Sequence, residues 1–278
     1  MMEWTEQQCA EMYECGYLII RDAVPLDLVL AARAALEADK GGGAPEVLAL
    51  IHESMLKDFL NAGLRGGGFN PIGGSQAGTN GPREPGTRNM QTGWPEVEVP
   101  FYGWCGHVDG IWSGGAGAPQ GRDDPDFDPV KWDSEPAVNG HNKCYGSHDG
   151  VECNLQLFSA LVGVSLSEQQ LDGAGQIGVL RGAHLPLADF YSAQRAKGGP
   201  VGPGGPFWPR EDFNAPNGHG VRHYPDFLRE QFTEGAEYSS DGKMWPKPTF
   251  MKLNPGDAVL ILGHTVNSAF KMMNFVSK

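Results

Sequence analysis

The sequence predicts a mainly β fold, a double-stranded β-helix (jelly-roll) barrel with supporting helices in its N-terminal portion. Glycine and proline, with 40 and 21 residues of 278, make up over a fifth of the chain, which favours short strands joined by many turns. Short apolar runs rich in β-formers alternate with turn signals. The length suits one large domain, so we expect a single unit over residues 1–278.

Residues 1–64 are expected to form the helical N-terminal portion. Thr5 and Gln8 have the spacing of a capping box, and Gly16 suits the end of the helix that they begin. Residues 16–20 are a short apolar run rich in β-formers, which predicts a strand. Apolar side chains at helical spacing predict two further helices, at residues 25–39 and 45–64.

Strands and loop-rich inserts are expected to alternate through the rest of the chain. The run at 151–166 is too densely apolar for a half-exposed strand, so we expect it to be central in its sheet. A turn signal at 254–257 precedes the buried strand 258–263. The other predicted strands cover 89–94, 97–103, 176–180 and 250–253. The inserts cover 65–88, 113–150 and 196–248, the last with a short helical segment near 226–232.

Composition excludes several classes of partner. The net charge of −13 argues against nucleic acid and against an anionic membrane surface, because both require a basic surface. The five cysteines form no C-x-x-C pair, so we expect neither a zinc ribbon nor a disulfide framework. No signal-peptide pattern and no apolar run of membrane-span length is visible. We therefore expect an intracellular, cytoplasmic protein.

His107 and Asp109 form the motif with the clearest chemical meaning. On a strand, residues i and i+2 point to the same face, so the imidazole and the carboxylate could reach one ion. The two-His-one-carboxylate triad of non-haem Fe(II) oxygenases needs this pair and a distant histidine. With 8 His and 34 acidic residues, about one His-x-acid pair is expected by chance. The spacing alone is therefore weak evidence for a metal site, and the neighbouring sequence must support it. Three aromatic residues flank the motif: Tyr102, Trp104 and Trp112.

Four segments of the chain match a known family in their order. They are GYLIIRDAVPLDLVLAARAAL (16–36), WCGHVDG (104–110), GAGQIGVLRGAH (173–184) and LNPGDAVLILGHTVNSA (253–269). They resemble the opening strand and helix, the His-x-Asp segment, the Gly-Ser-His-type loop and the distal-histidine strand of the phytanoyl-CoA dioxygenase family. That family contains Fe(II)- and 2-oxoglutarate-dependent oxygenases. The resemblance spans nearly the whole chain.

The resemblance implies a jelly-roll barrel, Fe(II), 2-oxoglutarate as cosubstrate, and hydroxylation or desaturation of a small-molecule substrate. It implies that His107, Asp109 and His264 hold the metal. His184 and His264 compete for the distal position, and both are present in matching segments. In the family, the ligand follows the Pro-Gly-Asp turn, which favours His264 over His184.

The C-terminal segment departs from the family pattern. Members usually carry an arginine about ten residues after the distal histidine, and it pairs with the far carboxylate of 2-oxoglutarate. No arginine follows His264 here, and the final strand is cut short. Either the gene product is incomplete, or Lys271 or one of the upstream arginines Arg88 and Arg181 substitutes for it, or cosubstrate binding is lost.

Two other functions stay open at the level of sequence. A catalytically impaired jelly-roll protein that binds metal or ligand is favoured by the missing arginine. A cupin-like isomerase or hydrolase could use the same three ligands with zinc or manganese. Decarboxylation of 2-oxoglutarate by the Fe(II)-loaded protein would separate the oxygenase from both.

Overall fold

The computed structural model describes residues 3–63, 84–86, 100–104, 106, 108, 111–112, 155–156, 160–197, 207, 226–240, 242, 244–265, 267–268 and 273–276. The helices in these ranges are α1 (Glu6–Cys15), α2 (Leu26–Glu37), α3 (Pro45–His52), α4 (Leu56–Gly63), α5 (His184–Lys197) and α6 (Asp226–Arg229). The strands are β1 (Tyr17–Ile20), β2 (Ile111–Trp112), β3 (Leu155–Gln156), β4 (Ala160–Val164), β5 (Gly178–Val179), β6 (Glu237–Tyr238), β7 (Met244–Trp245), β8 (Thr249–Phe250), β9 (Ala258–Leu262), β10 (Asn267–Ser268) and β11 (Met273–Val276).

Two antiparallel sheets organise the described part of the chain. The larger has the strand order β1-β9-β4-β11, and the smaller has the order β10-β5-β8. Tyr17 pairs with Ile261 and Leu161 pairs with Ile261 from the other side, so β9 is paired along both edges. Two further strand pairs, β2 with β3 and β6 with β7, lie outside these sheets.

Three strands of the larger sheet, β1, β4 and β9, carry buried side chains on both faces. Side chains of a strand alternate between faces, and Leu18 and Leu260 belong to a core cluster that includes residues of all four N-terminal helices. Val259 and Ile261 point the other way and pack with Val179 of the smaller sheet. The architecture is therefore a helical layer, a central sheet and a second sheet, and β9 is buried within it.

The N-terminal helix begins and ends as the sequence predicts. The Thr5 hydroxyl accepts from the Gln8 N–H, and the Thr5 N–H donates to the Gln8 side chain, which completes the capping box. Gly16 ends α1 in the left-handed conformation, with φ of 78°, and its N–H donates to the Met12 carbonyl. This turn directs the chain from α1 straight into β1.

The single helix predicted at 45–64 is wrong, because residues 53–55 interrupt it. The Ser54 hydroxyl donates to the Leu50 carbonyl at 2.6 Å and accepts from the Leu56 N–H at 3.2 Å. Serine side chains compete with the backbone for hydrogen bonds in this way. The chain therefore forms α3 and α4, and both still turn apolar side chains into the core.

Three other predictions need correction. Residues 100–103 form a turn in which Tyr102 and Gly103 have positive φ, so the predicted strand at 97–103 does not extend through them. The run 151–166 contains two strands, β3 and β4, which pair with different partners. The sequence also missed α5, whose buried residues His184, Leu187, Tyr191 and Gln194 have helical spacing.

Several predictions are confirmed and several fall outside the described residues. The sequence correctly predicted the positions of six elements: β1, α2, β4, β5, β9 and α6. The predicted insert at 113–150 and the predicted strand at 89–94 lie outside the described residues. The insert at 196–248 contains α6 and also the hairpin β6–β7, which was not predicted. After His264, β10 pairs with β5, and the four-residue β11 pairs with β4. No helix in the described ranges is long and apolar enough to cross a membrane.

The predicted turn at 254–257 is stabilised by the carboxylate of Asp257. It accepts from the Asn254 N–H at 2.8 Å, the Asp22 N–H at 2.9 Å and the Arg21 guanidinium at 2.7 Å. Burial alone would raise the pKa of Asp257, but these donors together lower it below its usual value. The turn that begins β9 is thereby tied to the chain leaving β1.

We predict that Asp257→Asn lowers the free energy of unfolding by about 3 kcal/mol at pH 7, because the amide is a weaker acceptor for three donors. Since the pKa of Asp257 is lowered in the folded state, its contribution is complete above about pH 4 and is lost as the pH falls through the folded-state pKa. The variant and the parent should therefore converge in stability once the pH falls below the lowered folded-state pKa of Asp257. Urea unfolding at several pH values measures this.

Asp172→Asn is the matched control, because Asp172 forms an exposed ion pair with Lys252. It should cost less than about 0.5 kcal/mol. Equal losses for the two variants would contradict the assigned role of Asp257.

Candidate metal centre

His264 is the one predicted metal ligand within the described residues. His107 and Asp109 lie outside them, although Trp104, Gly106 and Val108 beside them are described. Trp104 is fully buried, and its indole N–H donates to the Gly178 carbonyl at 3.0 Å. The chain that leads to His107 is therefore anchored on β5 of the smaller sheet.

A short turn after β9 positions His264. The Thr265 N–H donates to the Leu262 carbonyl at 2.9 Å and closes the turn. The Leu262 N–H and the Thr265 hydroxyl both donate to the Gly16 carbonyl, at 2.9 Å and 3.0 Å. His264 thus lies between two residues that are bound to the same oxygen atom.

His184, the rival for the distal position, lies beside His264. It is the first residue of α5 and is buried, and its ring centroid is 5.9 Å from that of His264. Its Nε2 lies 2.7 Å from the Tyr13 carbonyl. Because a carbonyl only accepts, Nε2 carries the proton and Nδ1 carries the lone pair. The two histidines that compete for the distal position in the sequence are therefore neighbours in the fold.

Burial keeps both imidazoles neutral at physiological pH. Desolvation lowers the pKa of His184 and outweighs the opposing effect of the bond to Tyr13. Desolvation also lowers the pKa of His264, and the proximity of His184 lowers it further. The neutral form of imidazole is the one that binds metal ions. The chemistry of the His264 side chain therefore fits a metal ligand.

Gly16 packs against the ring of His184. A Cβ atom on Gly16 would lie 2.5 Å from Nδ1 of His184 and 2.6 Å from the Thr265 hydroxyl oxygen. Nδ1 is buried and has no hydrogen-bond partner among the described residues. Because the Gly16 backbone covers it, Nδ1 is poorly placed to receive an ion. This packing favours His264 over His184 as a ligand.

The three cationic candidates for the cosubstrate are only partly described. Arg88 and Lys271 lie outside the described residues. Arg181 is exposed, and its Nε donates to the Cys15 sulfur at 3.1 Å, at the C-terminal end of α1. The described residues contain no group of three His, Cys, Asp or Glu side chains that could hold a metal by itself. Among these described residues, His264 is the candidate metal ligand, and His184 packs beside it.

Sequence reasoning found the histidines but missed the residues that position them. Tyr13 and Gly16 act through backbone carbonyls, and a backbone carbonyl leaves no pattern in the sequence. Thr265 gave one weak signal, since a buried threonine directly after an apolar strand needs a hydrogen-bond partner.

The sequence matches no family model and no curated protein. Solved structures similar to it include those of HygX from Streptomyces hygroscopicus. The iron-bound structure aligns with a TM-score of 0.38 and 15% identity over 99% of this chain and 85% of HygX. The structure with nickel, 2-oxoglutarate and hygromycin B bound aligns with a TM-score of 0.40 and 16% identity over 99% and 85%. At these scores the likeness carries no argument about function, and membership of the phytanoyl-CoA dioxygenase family stays a prediction.

We predict that Gly16→Ala lowers the free energy of unfolding by about 3 kcal/mol, which combines left-handed strain with overpacking. Gly41→Ala is the matched control, because Gly41 has a similar φ of 75° but nothing within 4 Å of its Cβ position. It should cost only about 1 kcal/mol. Urea unfolding of both variants gives the difference, and equal losses would show that the contact of Gly16 with His184 and Thr265 is unimportant.

Proposed function

We propose that the chain is an Fe(II)- and 2-oxoglutarate-dependent dioxygenase with a jelly-roll barrel, which hydroxylates or desaturates a small-molecule substrate. In this proposal His107, Asp109 and His264 are the metal ligands. The other imidazole, His184, packs behind His264.

The observation that carries the proposal is a junction at Gly178 of β5. Its carbonyl accepts from Trp104, three residues before His107, and its backbone pairs with Ser268 of β10, four residues after His264. A chain extends by at most about 3.5 Å per residue, so His107 lies within about 11 Å of Trp104 along the backbone. The junction supports a site to which both motif segments contribute.

The residue types fit a facial triad. Two neutral imidazoles and one carboxylate occupy one face of Fe(II) and leave other positions for ligands. When bound, Fe(II) with 2-oxoglutarate and dioxygen supplies the oxidation of an unactivated C–H bond. His264 contributes by keeping an unprotonated nitrogen, since burial lowers its pKa. Its turn keeps the ring at the end of a strand that is buried on both faces.

The cosubstrate needs a cation for its distal carboxylate, since an unpaired carboxylate in a closed site costs several kcal/mol. We propose Lys271 as this partner, because it follows His264 by seven residues and lies between β10 and β11. Arg181 is the described alternative, but its Nε is engaged by Cys15. Arg88 is the third.

A second function has one specific observation in its favour. Residues 265–278 contain no arginine, and lysine offers a point charge without the bidentate fork of arginine. A metal-binding jelly-roll protein without turnover would tolerate this change. Release of CO₂ from 2-oxoglutarate by the Fe(II)-loaded protein separates the two functions.

We predict that the protein binds one equivalent of Fe(II) under anaerobic conditions and that His264→Ala abolishes this binding. His184→Gln should keep it, because a glutamine amide can still donate to the Tyr13 carbonyl. Metal content after gel filtration measures both. If the double variant His107→Ala, His264→Ala retains as much iron as the parent, the ligand assignment is wrong; if folded His184→Gln alone loses the iron, His184 is the distal ligand.

We predict weak binding of 2-oxoglutarate, with a dissociation constant on the order of 1 mM, and a further loss in Lys271→Ala. The metal-to-ligand absorption band of the anaerobic Fe(II) complex reports the titration. Arg181→Ala serves as the comparison and should leave the band unchanged. Unaltered binding in Lys271→Ala with a loss in Arg181→Ala would transfer the role to Arg181.

A further inference from the structure

Thr265 has contacts that the sheet itself does not require. It is fully buried and is the last residue of the turn that carries His264. Its hydroxyl donates to the Gly16 carbonyl at 3.0 Å, an oxygen that already accepts the Leu262 N–H. The pairing of β1 with β9 therefore continues beyond the strand through a side chain.

This second bond restrains the direction of His264. Without it, the turn would be held to Gly16 only through the Leu262 N–H, and its far end only by the bond of the Thr265 N–H to the Leu262 carbonyl. With Thr265 bound to the same oxygen, both flanks of His264 are held at one point. The His184 ring, itself fixed by the Tyr13 carbonyl, packs 5.9 Å away and limits the space into which the imidazole can turn.

We propose that Thr265 is a positioning residue for His264, which acts through its hydrogen bond to Gly16. This inference rests on the proposed function, because it concerns the imidazole assigned to the metal. Metal ligands require placement within about 0.5 Å, and side chains that orient a ligand commonly change metal affinity by about 10- to 100-fold. Thr265 contributes to this placement of His264 without binding the metal itself.

A purely structural role for the hydroxyl is the competing explanation, and Ser165 provides the matched comparison. Ser165 is equally buried, and its hydroxyl donates to the Ser167 carbonyl at 2.7 Å. The Ser165 N–H donates to the backbone carbonyl of Asp257, so Ser165 lies at the opposite end of β9 from His264. Loss of either hydroxyl should lower stability, but only loss of the Thr265 hydroxyl should change the metal site.

The experiment uses the full chain and Co(II) as a spectroscopic substitute for Fe(II). We expect Thr265→Val to weaken Co(II) binding about tenfold and to shift its visible absorption band. Thr265→Ser keeps the hydroxyl and should bind within about twofold of the parent. Ser165→Ala should lower the unfolding midpoint and leave Co(II) affinity unchanged. Thr265→Ala removes the same hydroxyl and replaces Thr265→Val if that variant does not fold.

A metal-free readout separates this inference from the proposed function. In protein labelled with ¹⁵N-histidine, the His264 ring resonances should move in Thr265→Val and return in Thr265→Ser. Unchanged resonances in Thr265→Val overturn the positioning role, whatever metal binds. Co(II) binding that is unaffected by His264→Ala overturns the metal assignment instead, while the ring resonances still decide the role of Thr265. An equal loss of Co(II) affinity in Ser165→Ala and Thr265→Val would also overturn the positioning role of Thr265, since the loss would then reflect general instability.

Discussion

The left-handed turn at Gly16 is the constraint on which the described structure depends. Its carbonyl binds Leu262 and Thr265, and the Tyr13 carbonyl one turn earlier binds His184. These carbonyls can accept hydrogen bonds from other elements because C=O groups at the end of a helix have no partner within the helix. One helix end therefore joins α1, β1, β9 and α5, and it does so at the pair of imidazoles.

The double burial of β9 explains why the candidate site can tolerate little movement. Leu260 packs against the helical layer and Ile261 against the smaller sheet, so the strand cannot shift without disturbing two cores. At its start the strand is fixed by the Asp257 turn, and at its end by the bonds to Gly16. A histidine presented at the end of such a strand takes its position from the packing of the whole molecule.

Local signals in the sequence predicted the elements with local causes. The capping box at Thr5, the glycine at the end of α1 and the turn before β9 depend on residues close in sequence, and all three were predicted correctly. The break at Ser54 was missed because a serine inside an apolar periodic pattern does not reveal whether its hydroxyl will compete with the helix. The start of α5 was missed because its first residue, His184, is fixed by a distant carbonyl. The site followed the same division: residue types indicated His264, but its adjacency to His184 depends on the fold.

The pairing of β1 with β9 has a consequence for how the molecule is made. Tyr17 and Ile261 are neighbours in the sheet but are separated by most of the chain, so their contact closes a very long loop. On the ribosome, β1 emerges early and has no partner until β9 has been synthesised. During that interval β1 has no strand partner, and it carries the apolar side chains of Leu18 and Ile20. Unpaired apolar strands promote misassembly, and chaperones cover such surfaces. The β1–β9 pairing can therefore form only after β9 has been synthesised, and folding should be sensitive to whatever shields the first strand until then.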